Sequence, residues 1–419
     1  MKISLEKSQI RGNISAPASK SDTIRGLMCA ALATGESHLL NPLLADDTQA
    51  AAEVLGKIGV RINREGNIWR VNGGNFHAPE TELFCRDSAA TIRFMTALCA
   101  LVPGRCQLTA GPSLAGRPVQ PLAAALQKLG VSCSSNGDYP PVTVAGGRLK
   151  GGQTEIAGDI SSQFISALLF IAPLAEKGIS IRLTTPLASK PYVRMTIDCQ
   201  NKFGVKIRET GESFAVSRQT YQPARFTVEE DWSSASYFLA LGATAGEITI
   251  TNLNPASRQG DRIMLDFLKE MGAGIKIGSD SVTVSQAPLH PLHANLTDCI
   301  DLLPTLAILA AAADGASELT GIRRARLKES NRVAAVKEGL QRLGIKVIEK
   351  EDRLVIYGGK IHPAQIDAWG DHRIAMAFAI PGIINGGVTI TGAESVGKTF
   401  PQFWAILEGT GGKLTRHEQ

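Results

Sequence analysis

Positively charged side chains recur in this sequence at the starts of apolar segments that have helical periodicity. A helix start exposes unpaired backbone N–H groups and a partial positive charge, so a cation there is unfavourable unless an anion binds nearby. Seven cations occupy such places: Lys20, Arg25, Arg117, Lys328, Arg332, Arg373 and Lys398. A solvated surface position is the simpler interpretation for any one of them. Seven at matching places predict a shared site for a small anionic substrate.

Hydroxyl, amide and phenol side chains accompany these cations. They are Ser21, Ser161, Ser162, Gln163, Ser189 and Tyr192. Serines at helix starts commonly cap the helix, so capping and ligand binding both remain open for them. Arg93 lies one turn inside a predicted helix, where a structural ion pair and a substrate contact fit equally well.

Two carboxylates are candidates for acid–base chemistry. Glu329 lies between Lys328 and Arg332, and neighbouring cations keep a carboxylate ionised, which suits a base or a charge relay. Asp301 precedes the apolar run LLPTLAILAAAADG, where a plain helix cap is the alternative.

The elements that must position these residues form a sixfold repeat. Small-residue apolar runs end at Gly35, Gly104, Gly178, Gly246, Gly315 and Gly386, spaced 69, 74, 68, 69 and 71 residues apart. Each run is followed by a strand-like segment and then by a second amphipathic run that also ends on Gly. The pattern predicts strand, helix, strand, helix, strand, strand in each repeat, with helices packed inside against sheets.

Six repeats divide into two domains of three. We expect one domain over residues 15–227 and the other over 228–419, with the chain crossing near 13–17 and 225–229 as a hinge. The last repeat, ending GGKLTRHEQ, is expected to lack its final strands. The N-terminal strand, residues 1–14, is expected to complete the second domain.

Composition excludes several classes of protein. No apolar run reaches the ~20 residues of a membrane span, and the N-terminus has no signal core, so we expect a cytoplasmic protein. Seven cysteines without CxxC and seven scattered histidines argue against disulfides and a metal centre. A net charge of +5 without basic runs or interleaved aromatics does not favour nucleic acid.

Eight ordered segments resemble the 5-enolpyruvylshikimate-3-phosphate synthase family. They are PASKSDTIR, LLADDT, SLAGRP, SSQFISALL, SKPY, LKESNR, GDHRIAMAF and GKTFPQF, and they span nearly the whole chain. The resemblance implies an inside-out α/β barrel of two hinged domains, each of three βαβαββ units, closing on substrate. It implies transfer of the enolpyruvyl group of phosphoenolpyruvate to the 5-hydroxyl of shikimate 3-phosphate through a tetrahedral intermediate. It also implies that no metal or organic cofactor is required, and we expect a monomer.

The resemblance also implies roles for single residues. Shikimate 3-phosphate would be bound by Lys20, Ser21, Arg25, Ser161, Ser162, Gln163, Ser189, Tyr192, Asp301 and Lys328. Phosphoenolpyruvate would be bound by Lys20, Ala89, Arg117, Gln163, Arg332, Arg373 and Lys398. Asp301 would accept the hydroxyl proton, Glu329 would handle the proton at the methylene carbon, and Lys20 would serve both substrates.

One segment departs from the family's pattern. Where the family commonly has Gly-Asn-(Ala/Ser)-Gly-Thr, this chain has Arg86-Asp87-Ser88-Ala89-Ala90. The resemblance places this segment beside the phosphoenolpyruvate pocket, where an added methyl at Ala89 narrows the space. We therefore expect weakened binding of glyphosate, the herbicide that occupies the phosphoenolpyruvate position.

Two other functions remain open from the sequence. The sister enzyme that uses UDP-N-acetylglucosamine has a similar repeat, but usually has Lys-Asn in place of Lys20-Ser21 and a reactive Cys in a mobile loop. Cys106 here falls in a predicted strand, so we expect it to be buried. A sixfold clamp-like nucleic-acid module would share the repeat, but has no need for the clustered cations and carboxylates.

Overall fold

A computed structural model describes residues 1–417 and shows a chain of alternating helices and strands. The α-helices are α1 (Lys20–Leu32), α2 (Asp46–Lys57), α3 (Ala89–Leu98), α4 (Gln120–Lys128), α5 (Ser162–Ile171), α6 (Lys190–Lys202), α7 (Trp232–Ala245), α8 (Met264–Glu270), α9 (Leu303–Ala312), α10 (Arg332–Arg342), α11 (His372–Asn385) and α12 (Phe403–Gly409).

The strands fall into two series of twelve. The first is β1 (Lys2–Glu6), β2 (Ile10–Ile14), β3 (Gly35–Leu40), β4 (Arg61–Glu65), β5 (Ile68–Gly73), β6 (Leu83–Phe84), β7 (Gly104–Thr109), β8 (Ser132–Asn136), β9 (Tyr139–Gly146), β10 (Gly152–Ile156), β11 (Ile179–Leu183) and β12 (Arg208–Thr210). The second is β13 (Ser213–Val216), β14 (Arg225–Thr227), β15 (Gly246–Ile250), β16 (Gly274–Ile277), β17 (Val282–Ser285), β18 (His293–Asn295), β19 (Ala316–Thr320), β20 (Lys346–Lys350), β21 (Arg353–Tyr357), β22 (Ala364–Asp367), β23 (Val388–Thr391) and β24 (Lys413–His417).

Over residues 1–417 these strands form six four-stranded sheets. Their orders are β14-β3-β5-β4, β6-β7-β9-β8, β10-β11-β13-β12, β16-β17-β15-β2, β18-β19-β21-β20 and β22-β23-β1-β24. In every sheet one pair is parallel and the other two are antiparallel. The predicted α/β fold of six βαβαββ repeats is confirmed.

The strands that open the first and fourth repeats pair outside their own repeats. β2 precedes the first repeat but pairs with β15 of the fourth, Gly246 lying opposite Ile10. β14 precedes the fourth repeat but pairs with β3 of the first. The two repeats thus exchange their opening strands.

The last repeat is completed differently from our expectation. We predicted that this repeat lacks both of its final strands. One of them, β24, follows α12 in the chain, so that part of the prediction is wrong. β1 supplies the other and lies between β23 and β24, antiparallel to both. The chain end therefore pairs with its own N-terminal strand.

The chain divides into two compact units. We call Ala18–Glu229 the N-terminal unit, and Met1–Pro17 together with the chain from Glu230 onward the C-terminal unit. Each has its own apolar core. The first helix of each repeat (α1, α3, α5 and α7, α9, α11) is buried almost throughout its length, with the sheets outside.

The six glycines that mark the repeat all have positive φ, and at some of them the backbone of another segment also approaches closely. At Gly178, where φ is +65°, a Cβ would lie 2.2 Å from the carbonyl oxygen of Val216. Left-handed φ and lack of space both favour glycine there, so glycine marks the point where helix turns into sheet.

Among residues 1–417 we find no helix that is long and apolar enough to cross a membrane. The same part of the chain contains no group of three or more His, Cys, Asp or Glu side chains arranged to hold a metal ion.

Candidate active site

Lys20 begins the first buried helix of the N-terminal unit. It is the first residue of α1, and Ser19 caps that helix by accepting the N–H of Asp22. The ammonium of Lys20 lies 2.9 Å from Oδ2 of the buried Asp47, near the start of α2. A carboxylate thus fixes a cation at a helix start, where it would otherwise be unfavourable.

Arg25 lies in the second turn of α1, not at its start as the sequence suggested. Its Nε donates to Thr196 Oγ1 at 2.9 Å, and its Nη atoms donate to the backbone oxygens of Ser21 and Tyr192. Its guanidinium carbon is 5.6 Å from the ring centre of Phe94 and 5.7 Å from that of Tyr192. The structure therefore brings Arg25, Ser21 and Tyr192 together.

Arg93 joins two further groups of candidates. Its Nη1 donates to Gln163 Oε1 at 2.8 Å and to Ser161 Oγ at 3.2 Å, while Nη2 donates to the carbonyl of Pro118. The guanidinium also lies over the ring of Phe164. Arg93 therefore contacts predicted substrate-binding residues directly.

The two remaining serines of the N-terminal unit also lie at helix starts. Ser162 is the first residue of α5 and is buried. Ser189 occupies the N-cap position of α6 in a left-handed conformation, with φ of +56°, and its side chain makes no capping hydrogen bond. Positive φ is uncommon for a residue with a side chain and is often found at functional sites.

Arg117 and Ala89 complete the candidates of this unit. Arg117 is buried but lies three residues before α4, so the prediction that it begins a helix is wrong. Its N–H bonds to Leu114 O within a turn. Ala89 is the first residue of α3, buried, and capped by Ser88.

The C-terminal unit holds a compact cluster around Arg332. Three guanidinium nitrogens each reach a different carboxylate: Nη1 to Asp301 at 2.7 Å, Nη2 to Glu329 at 2.5 Å, and Nε to Asp371 at 2.7 Å. Arg332 is 1% exposed. Burial alone lowers its pKa, but Asp371, Glu329 and Asp301 outweigh burial and hold that pKa above its usual range.

Asp301 is shared by three cations of this cluster. Besides Arg332, it contacts Lys328 Nζ at 3.3 Å and Arg373 Nη2 at 3.3 Å. Burial by itself raises the pKa of Asp301, but Arg373, Lys328 and Arg332 hold that pKa well below its usual range. Asp301 lies in a short 3-10 turn before α9, whose N-cap position is Leu302, so Asp301 is not the N-cap residue of that helix.

The cluster combines three cations with three carboxylates, all within one network. Arg332, Lys328 and Arg373 balance Asp301, Glu329 and Asp371 in formal charge. An unpaired buried charge is strongly unfavourable. The six charged side chains can lie together because each contacts a side chain of opposite charge. An anionic ligand that binds Arg332 would therefore compete with its carboxylate partners for the guanidinium.

Two cations of the C-terminal unit lie apart from helix starts. Lys328 follows the 3-10 helix Arg323–Leu327, and Lys398 ends the 3-10 helix Ala393–Lys398, half-buried. The prediction that each begins a helix is wrong. Arg332 and Arg373, in contrast, lie in the first turns of α10 and α11.

Sequence reasoning missed two carboxylates of these networks. Asp371 caps α11 by accepting the N–H of Arg373, and the same carboxylate binds Arg332. Asp47 holds Lys20. Both were visible as acidic residues in GDHR and LLADDT, but an acidic residue at a helix start is most often only a cap.

The sequence matches the family model of EPSP synthase (3-phosphoshikimate 1-carboxyvinyltransferase) over residues 5–407. A 3-phosphoshikimate 1-carboxyvinyltransferase of Dehalococcoides mccartyi is 49% identical, covering 99% of this chain and all of that protein. One from Methanothermobacter thermautotrophicus is 41% identical, covering 96% of this chain and 97% of that protein.

Solved structures show the same architecture. An EPSP synthase from Acinetobacter baumannii superposes with a TM-score of 0.82 at 25% identity, over 99% of this chain and 100% of that one. The enolpyruvyl transferase NikO from Streptomyces tendae gives a TM-score of 0.79 at 17% identity, over 99% of this chain and 98% of that one. At such identity the second likeness concerns the fold alone.

Proposed function

The chain belongs to the EPSP synthase family, and from this premise we propose that it transfers the enolpyruvyl group of phosphoenolpyruvate to the 5-hydroxyl of shikimate 3-phosphate, releasing phosphate. The observation that carries the proposal is the Arg332 cluster, which holds three carboxylates beside three cations. Addition to a vinyl phosphate requires a proton donor, a proton acceptor and positive charge for the phosphate, and this cluster contains all three.

On the N-terminal unit, we assign the polar helix starts to shikimate 3-phosphate. Ser161, Ser162 and Ser189 offer hydroxyls and helix N–H groups for the 3-phosphate. Lys20, Ser21, Arg25, Gln163 and Tyr192 bind the remainder of this substrate. Lys20, Gln163, Arg117 and Ala89 face phosphoenolpyruvate.

On the C-terminal unit, Arg332, Arg373 and Lys398 bind phosphoenolpyruvate, and Lys328 and Asp301 bind the hydroxyls of shikimate 3-phosphate. Asp301 accepts the 5-hydroxyl proton, because its lowered pKa keeps it ionised at neutral pH. Glu329 acts from its protonated form: it gives its proton to the methylene carbon in the addition step and takes a proton back from the methyl group in the elimination step, while the 5-hydroxyl proton held by Asp301 leaves with the phosphate. Binding of phosphoenolpyruvate exchanges one carboxylate contact of Arg332 for a substrate contact, which releases Glu329 for proton transfer.

A phosphate-release assay with phosphoenolpyruvate and either acceptor tests the function. We expect phosphate release with shikimate 3-phosphate and none with UDP-N-acetylglucosamine. The reverse pattern would assign the chain to the sister activity. Against that activity stand the Lys20-Ser21 pair and the buried position of Cys106 inside β7, which suits a core residue and not a reactive loop.

We further propose that the protein acts as a monomer without nucleic acid, metal or organic cofactor, in the cytoplasm. All seven cysteines are free and buried, as is typical of proteins in a reducing compartment. The mild net charge of +5 gives no basic stripe for a nucleic-acid backbone. Size-exclusion chromatography tests whether the protein is a monomer. Activity after dialysis against a chelator tests whether it needs a metal.

Ala89→Gly is expected to make the enzyme more sensitive to glyphosate. One methyl group in a tight pocket typically changes binding by about tenfold or more. The inhibition constant of glyphosate should therefore fall by about tenfold, with a smaller change in the KM for phosphoenolpyruvate. Ala97→Gly, in the same buried helix, is the control for lost helix propensity. An equal inhibition constant for wild type and Ala89→Gly would contradict the steric explanation.

The affinity for shikimate 3-phosphate is expected to fall above pH 8. Burial lowers the pKa of Lys328 from 10.5 to about 8, with Asp301 opposing that shift. Lys328 is thus charged below that pH and loses its charge as the pH rises through it. The KM for shikimate 3-phosphate should then rise by up to about tenfold per pH unit. Lys328→Arg should move this rise to higher pH, and an unmoved profile would exclude Lys328 as its cause.

A further inference from the structure

Residues 110–118, which we call the Arg117 segment, form hydrogen bonds with residues 86–93. Gly111 N–H donates to the carbonyl of Arg86 at 2.7 Å. Leu114 N–H donates to Asp87 Oδ1 at 3.1 Å and is shared with Gly111 O at 3.1 Å. At the far end, Arg93 donates to Pro118 O at 3.2 Å. The segment contains no helix or strand, and these hydrogen bonds tie both of its ends to residues 86–93.

Asp87 fits closely against the segment. A Cβ built on Gly111 would lie 2.7 Å from Asp87 Oδ1 and 2.8 Å from its Cγ and Oδ2. These distances are shorter than any ordinary carbon contact, so the carboxylate occupies the space of a side chain at position 111. A side chain at position 111 would therefore displace the Asp87 carboxylate.

Arg86, the residue before Asp87, is tied to α2. Its backbone is left-handed, with φ of +50°, which is unfavourable for a residue with a side chain. Its guanidinium forms ion pairs with Asp46 and with Glu53, the latter at 2.7 Å. Both carboxylates belong to α2, the helix whose Asp47 holds Lys20. The Arg86–Asp87 pair therefore connects α2 to the Arg117 segment.

We propose that Asp87 is a positioning residue for phosphoenolpyruvate binding: its carboxylate holds the Arg117 segment through the N–H of Leu114 and so places the Arg117 guanidinium. The inference rests on the proposed function, because it takes Arg117 as a phosphoenolpyruvate ligand. It also explains how an acidic residue is accommodated in this segment, since the carboxylate accepts a backbone hydrogen bond.

Asp87→Ala and Asp87→Asn separate positioning from direct electrostatics. Asparagine retains an oxygen that can accept the Leu114 N–H, whereas alanine does not. We expect Asp87→Ala to raise the KM for phosphoenolpyruvate by about tenfold, the scale of one lost hydrogen bond, and Asp87→Asn to restore it nearly to the wild-type value. The KM for shikimate 3-phosphate should stay within about twofold in both. If Asp87 acted by repelling the substrate, both variants would instead lower the KM for phosphoenolpyruvate.

Gly111→Ala provides an independent test of the same contact. The added methyl displaces the Asp87 carboxylate, so this variant should raise the KM for phosphoenolpyruvate much as Asp87→Ala does. In the double variant the two effects should not add, because the clashing carboxylate is gone. Gly56→Ala on α2, where a Cβ meets no atom within 4 Å, is the matched control.

The outcomes distinguish this inference from the proposed function. Wild-type protein that releases no phosphate from phosphoenolpyruvate and shikimate 3-phosphate would overturn the function. Active wild type with an unchanged or lowered KM for phosphoenolpyruvate in Asp87→Ala, or with additive effects in the double variant, would overturn only the role of Asp87.

Discussion

Asp301→Asn is expected to lower kcat by about 10²–10⁴-fold, the usual range for loss of a positioned acid–base group. Asparagine keeps the shape of the side chain and can still accept hydrogen bonds from Arg332 and Lys328. It cannot take the proton of the attacking 5-hydroxyl. The KM values should change less than kcat, because hydrogen bonding is largely retained. Steady-state phosphate release measures both constants.

Stability must be measured beside activity for this variant. Breaking a buried ion pair typically costs about 3–5 kcal/mol, but Arg332 retains Glu329 and Asp371. We therefore expect a lower melting temperature with a folded protein at assay temperature. Asp314→Asn, an exposed aspartate just after α9, is the control for the chemical change alone. A folded Asp301→Asn protein with wild-type kcat would exclude Asp301 as the proton acceptor.

Glu329→Gln is expected to lower kcat by a similar factor of about 10²–10⁴. Glu329 Oε2 lies 2.5 Å from Nη2 of Arg332, and the Glu329 side chain is 10% exposed. Its carboxylate is therefore fixed in position and largely shielded from solvent. Glutamine cannot pass a proton to the methylene carbon of phosphoenolpyruvate. The KM for shikimate 3-phosphate should be nearly unchanged, because Glu329 is assigned to the other substrate.

Isotope exchange distinguishes Glu329 from a residue that only orders the site. Reversible protonation of the methylene makes a methyl group, so deuterium from heavy water should enter phosphoenolpyruvate during turnover by the wild type. Glu329→Gln should slow this exchange by about a hundredfold or more. Glu338→Gln, on α10 and paired with Arg342 at 2.6 Å, is the control. Undiminished exchange in Glu329→Gln would assign the proton to another group.

The local pattern of the sequence was enough to predict much of the fold. Glycines at nearly constant spacing mark helix-to-sheet turns with positive φ, and strand and helix periodicity is a local property. The sequence pattern alone also correctly identified Lys20, Arg332 and Arg373 as cations in the first turn of a helix. It placed Arg25, Arg117, Lys328 and Lys398 at helix starts wrongly, because helix ends are the least certain feature of a sequence pattern.

Tertiary structure alone decided which strands pair and which charges meet. The sequence does not show that β2 pairs with β15 or that β1 lies between β23 and β24, because any exposed strand edge can accept a strand from elsewhere in the chain. Likewise, Arg332 binds Asp301, 31 residues before it, and Asp371, 39 residues after it. The sequence determined which residue types stand at the helix starts, whereas folding determined that three carboxylates surround one guanidinium. Burial stabilises such a cluster only when the charges are paired, and pairing across such separations leaves no periodic trace in the sequence.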